Sequence, residues 1–147
     1  MDDKNIGSSK QRALRKQIDK EDKTRKDKYQ KLSNKLKSFG SLSVNWDGYN
    51  GLPPSSEMIN CFHLFLSELF KLKIDAPVLQ LTGEGNIGCF WKAQTGYAEI
   101  EFDSPGQYCY FLKDDDGVFG KDDCIFDSFI DEKLIEYIKK IGVKNGS

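Results

Sequence analysis

Apolar residues are sparse and helically spaced over the first forty positions, dense between Met58 and Phe70, and alternating from Val78 onward. From Lys10 to Phe39 there is no Pro or Gly, and Lys, Arg, Gln and Leu, all good helix formers, are abundant. Tyr29, Leu32, Leu36 and Phe39 follow one another at steps of three and four, so they share one helical stripe. Upstream only Leu14 and Ile18 are large and apolar. The pattern predicts a helix whose last third packs on a body, whose first two thirds project as a solvated arm, and which Gly40 ends. Residues 2–9, short and polar with Gly7, Ser8 and Ser9, read as unstructured.

The stretch from Trp46 to Ser55 reads as an ordered loop. Gly48 and Gly51 permit tight turns, Pro53 and Pro54 fix an extended exit, and Asp47 is placed to accept backbone N–H groups. Trp46 and Tyr49 are expected to anchor this loop at the junction of helix and sheet, with Trp46 buried. Ser55 or Ser56 then caps a helix that carries Glu57 in its first turn and extends to about Lys73. Its wide apolar face holds Met58, Ile59, Phe62, Phe65, Leu66, Leu69 and Phe70.

Beyond Pro77 the period becomes two. Val78–Leu81, Ile87–Lys92, Tyr97–Phe102 and Tyr108–Lys113 are short runs separated by turn signals rich in Gly, Asp, Asn and Pro, which predicts an antiparallel meander. Val118-Phe119 and Cys124-Ile125-Phe126 suggest a short fifth strand, and a final helix is expected from Phe129 to Ile141. With residues 94 and 95 as a turn, Trp91 faces Ala98, Cys89 faces Ile100 and Ile87 faces Phe102. Across the next turn Phe102 faces Tyr108, Ile100 faces Tyr110 and Ala98 faces Leu112. All these residues fall on one face. The other face carries Phe90, Lys92, Tyr97, Glu99, Glu101, Cys109, Phe111 and Lys113; either a helix covers its aromatic part or it is a recognition surface. The fold expected is α+β, a four- to five-stranded antiparallel meander packed against helices, with a charged helical arm over 1–40 and a compact domain over 41–147.

Charge separates the same two parts. Residues 1–37 hold thirteen Lys or Arg and six Asp or Glu, whereas the remainder holds nine basic and seventeen acidic groups, so the net formal charge of −1 hides a dipolar chain. Such asymmetry bears on partners. No run of apolar residues is long enough to span a bilayer, and the first twenty residues lack the apolar stretch of a secretory signal. Cys61, Cys89, Cys109 and Cys124 are irregularly spaced and read as reduced thiols of a cytoplasmic protein.

Catalytic patterns are weak. His63 is the single histidine, and Cys61 two residues before it lies on a different side of the same helix. No zinc spacing and no phosphate-binding Gly-rich loop occurs. Asp114-Asp115-Asp116-Gly117 resembles part of a calcium loop, yet Leu112 stands where the first ligand belongs; it reads as a hairpin turn with at most weak divalent binding. Glu99 and Glu101 share a strand face, as a glycosidase pair or any solvated strand would. The reading calls for no metal and no cofactor, and no feature sets an oligomeric state.

The run Asn45-Trp46-Asp47-Gly48-Tyr49, followed by Pro53-Pro54-Ser55, resembles the signature of a family of small uncharacterised prokaryotic and phage-borne domains. Their motif reads NWDGYG…PPS and precedes an apolar helix and a meander with a W…Y…EIEF stretch, similar to Trp91, Tyr97 and Glu99-Ile100-Glu101-Phe102. The resemblance covers residues 42–113. Asn50-Gly51 replaces the Gly-Ala that follows the Tyr in the family, and the basic arm lies outside the match. The resemblance implies a fold-level grouping and an accessory or defence-related role, without a settled activity.

Three functions are therefore expected in order. The first is a protein-binding module, an inhibitor of antitoxin-like or anti-defence type that occludes a larger protein partner. The second is nucleic-acid binding through the arm, by Lys10, Arg12, Arg15, Lys16, Lys20, Lys23, Arg25 and Lys26, although Asp19, Glu21, Asp22 and Asp27 interrupt them. For a protein partner Leu14 and Ile18 join that set, and the sheet-face candidates are Phe90, Tyr97, Glu99, Glu101 and Phe111. A small hydrolase is the third.

Overall fold

The computed structural model describes residues 8–146, with side chains through Ile141; most of the segment read as unstructured lies outside the described residues. The element order is α1 (Ser9–Ser38), a 3-10 turn (Phe39–Ser41), α2 (Ser56–Lys71), β1 (Val78–Leu81), β2 (Ile87–Ala93), β3 (Gly96–Ser104), β4 (Gln107–Asp114), β5 (Gly117–Ile125) and α3 (Glu132–Gly146). The five strands form one antiparallel sheet in sequence order, a meander. No helix among the described residues is long and apolar enough to cross a membrane.

Ser8 opens α1, its side chain accepting from Gln11 N–H at 3.2 Å, so the polar lead-in includes a helix cap. The stripe behaves as its spacing dictates: Tyr29, Leu36 and Phe39 are buried and Leu32 packs against them. Tyr29 also donates its hydroxyl to Ile74 O at 2.9 Å, which pins the helix to the strand-side loop. Ser55 caps α2 through Met58 N–H at 3.1 Å, and six residues of its predicted face are buried, Phe70 alone lying at the margin.

The predicted hairpin register is observed at all six pairs, from Ile87 opposite Phe102 to Ala98 opposite Leu112. The inner face closes on α2 and α3, with Phe65 at the centre: its ring lies 5.0 Å from that of Phe102, 5.4 Å from Phe126 and 5.8 Å from Tyr108. Close approach of α3 to the sheet depends on Gly96, where an added Cβ would sit 2.5 Å from the Tyr137 hydroxyl that donates to Lys113 O.

Two expectations are corrected at the C-terminal end. The fifth strand is a single nine-residue run, made continuous by a bulge where Asp123 takes φ 58° and the register against β4 shifts. The last helix begins at Glu132, because Asp131 caps it: its carboxylate accepts from Lys133 N–H at 3.0 Å and Leu134 N–H at 3.4 Å. The same carboxylate receives Lys121 Nζ at 2.8 Å and the Tyr110 hydroxyl at 3.2 Å, and it is held below the usual carboxylate range chiefly by Lys121.

The Trp46–Tyr49 loop is also corrected. Trp46 is half-buried, held by one bond from its indole N–H to Leu52 O at 2.8 Å, and Tyr49 is 88% exposed at the loop's apex. The loop is ordered by backbone closure instead. Asp47 Oδ1 accepts from Tyr49 N–H and Gly51 N–H, Asn45 Oδ1 accepts from Asn50 N–H, and Asn45 N–H donates to Gly51 O at 2.6 Å. Tyr49 N–H is the main cause of the lowered pKa of Asp47. Leu52 N–H then joins the loop to Gly83 O in the β1–β2 turn. Trp46→Ala is therefore expected to cost about 1–2 kcal/mol, one hydrogen bond and a partial burial, not the toll of a core tryptophan. Urea unfolding measures it, and a loss above about 3 kcal/mol would contradict the half-buried placement.

Candidate functional site

All the helices among the described residues lie toward the inner face or beside the β1 edge, so the outer face of the sheet has no cover from them. Alternation places Val78, Phe90, Glu99, Phe111 and Gly120 in one row across it, and Lys92, Tyr97, Lys113 and Val118 in the next. Phe90 and Tyr97 stack at 5.9 Å between centroids. Val118 is 64% exposed, and Val78 and Phe111 are also exposed. The result is an apolar strip flanked by both signs of charge, the make-up of a docking patch.

The two glutamates on this face are engaged separately. Glu99 accepts from the Tyr97 hydroxyl at 2.5 Å, and Glu101 accepts from Asn86 Nδ2 at 3.0 Å. Burial, then that bond to Glu99, pushes the Tyr97 hydroxyl up to about 12. Each acid thus fixes a neighbour in place, a positioning role for the surface. The Cys109 thiol, pushed up by burial and then by Glu101, stays protonated at neutral pH.

The arm residues Lys10, Arg12, Leu14, Arg15, Lys16, Ile18, Lys20, Lys23 and Lys26 are exposed along α1. Arg25 differs: it is partly buried and ion-paired with Asp22 at 2.7 Å. The arm and sheet-face sets meet at one place. Lys20, Arg25 and Phe90 line a cleft of about 590 Å³ between α1 and the end of β2, a grouping the sequence did not foretell.

Elsewhere the candidate chemistry disperses. The Cys61 thiol accepts from Gly106 N–H at 3.1 Å in the β3–β4 turn, whereas His63 lies on the other side of α2, lining a shallow groove with Tyr29 and Phe70. Burial, then Lys37, lowers the His63 pKa, and burial raises the Cys61 thiol. Asp114 accepts from Asp116 N–H at 2.8 Å, the bond of a hairpin turn. Among the described residues no three His, Cys, Asp or Glu gather in a way that could hold a metal. The four cysteines are free thiols.

No protein-family model, curated protein or solved structure matches the chain.

Proposed function

We propose that the chain is a protein-binding module that lays its outer sheet face on a larger protein and acts by occluding it, as an inhibitor of antitoxin-like or anti-defence type. The observation that carries this reading is the uncovered strip of Val78, Phe90, Tyr97, Phe111 and Val118 on a sheet whose other face is packed across β2, β3 and β4. Burying one such large side chain on association contributes roughly 1.5–3 kcal/mol before the costs of ordering. Tyr97 and Glu99, already bonded to each other, lose little freedom on docking. The motif resemblance supports a defence-related setting.

The test is capture from the native cell with tagged full-length protein, followed by affinity measurement on the co-purifying protein. Phe111→Asp with Val118→Asp is expected to weaken binding at least 100-fold, the scale of a lost interface centre, with the melting temperature little changed. Unchanged binding by that variant would refute the reading. A second reading, nucleic-acid binding by the exposed basic arm, makes a different demand. Retention would then be nuclease-sensitive, lost in Arg15→Glu, Lys16→Glu, Lys23→Glu, and steep in salt, with a log–log slope of about −4 to −5 for five phosphate contacts on duplex DNA.

A further inference from the structure

We infer that the cleft between α1 and β2 is a second docking site, adjoining the outer sheet face and sharing Val78 and Phe90 with it, and that it takes an extended acidic segment of a protein partner. One wall is α1 from Gln17 to Lys28, about 16 Å of helix at the rise per residue. That length matches about five residues of extended chain. The opposite wall is the sheet edge at the point where β1 stops. β1 pairs with β2 only as far as Phe90, so Trp91–Ala93 pairs with β3 on one side and has no strand on the other. An edge in that state presents main-chain N–H and C=O groups outward, which an extended segment can engage.

The chemistry of the lining selects the occupant. Four cations, Lys20, Arg25, Lys28 and Lys92, face the cleft against two carboxylates, Glu21 and Asp75. Arg25 is already paired with Asp22, and its Nε is buried without a hydrogen-bond partner. Val78 and Phe90 give an apolar foothold from the outer sheet face, and Ile141 one from α3. Leu14 and Ile18, three residues ahead of the wall positions Gln17 and Glu21, are 62% and 49% exposed and extend the apolar contact along α1. An acidic segment with one or two large apolar residues fits this pattern. A basic or nucleic-acid partner does not explain the foothold, and a compact anion would leave most of the long wall empty.

The cleft is tested by selecting a random linear 12-residue peptide display library on the immobilised full chain. The expected winners are rich in Asp and Glu and carry an aromatic or aliphatic residue. Synthetic winners should lose at least tenfold in affinity against Lys20→Glu, Lys28→Glu, Lys92→Glu. These three positions are exposed, so the variant is expected to fold normally, as a thermal melt checks. Binding should also weaken with added salt. It should be unaffected by Phe111→Asp with Val118→Asp, which separates failure here from failure of the outer face. No enrichment, enrichment of basic peptides, or winners indifferent to the triple reversal would overturn the inference. So would binding of inorganic phosphate or ATP that the reversal abolishes while no peptide binds.

Discussion

Phe65→Ala is expected to lower the unfolding free energy by about 3–5 kcal/mol, among the largest losses any single truncation in this chain can produce. The ring is fully buried between α2 and the sheet and touches the rings of Phe62, Phe102, Tyr108 and Phe126. These neighbours come from α2, β3, β4 and the segment after β5, each fixed by its own backbone pairing, so they cannot collapse together into the void. The loss is the transfer energy of the ring plus a cavity term. Urea denaturation of the variant measures it. A cost under about 1.5 kcal/mol would mean that the inner face repacks freely, and the register-locked core described above would be wrong.

Raising the pH above about 10 is expected to unfold the protein through its tyrosines. The Tyr29 hydroxyl is pushed well above its ordinary value of 10 by burial, Tyr108 is pushed to about 12 by burial, and Tyr110 is raised by burial and then Asp131. In the unfolded chain these groups ionise near 10. Their folded pKa values are higher, so the stability linked to them is complete below pH 10 and is lost as pH rises through 10 toward 12 and beyond. The buried Cys89 thiol, raised well above 9, adds to the loss at the lower end of that range. Urea midpoints measured from pH 8 to 12 should be level at first and then fall steeply. Tyrosinate absorbance should rise together with the loss of structure. In Tyr29→Phe the fall should be shallower, at the cost of the bond to Ile74 O. A level midpoint to pH 12 would contradict the buried placement of these hydroxyls.

Much of the meander was legible because alternation and turn chemistry agree. Gln94-Thr95 leaves room for a single register, and the apolar residues of three strands then meet on one side. β5 was legible only in pieces, because the bulge at Asp123 breaks the period of two that would have joined Val118 to Cys124. α3 starts later than its apolar pattern implies: Asp131 followed by Glu132 is a cap signal written in the chain, and the apolar Phe129 ahead of it is exposed. Trp46 and Tyr49 misled for another reason. Aromatic content suggested burial, but what orders that loop is a set of short bonds centred on Asp47 and Asn45. The cleft beside α1 had no signal in the sequence, because Lys20, Lys92 and Ile141 come together only through tertiary packing.

The one-sided sheet has an evolutionary consequence. Along β3 and β4 the residues that hold the fold and those that face outward alternate, so Ile100 and Tyr110 are tied to packing while Glu99 and Phe111, directly beside them, are not. Substitutions on the outward positions change what the surface can grip and leave the packed side nearly untouched, within about 0.5 kcal/mol for typical surface changes. A lineage pressed by a changing adversary can therefore rewrite every second residue of these strands in small, individually viable steps, without first acquiring extra stability to spend.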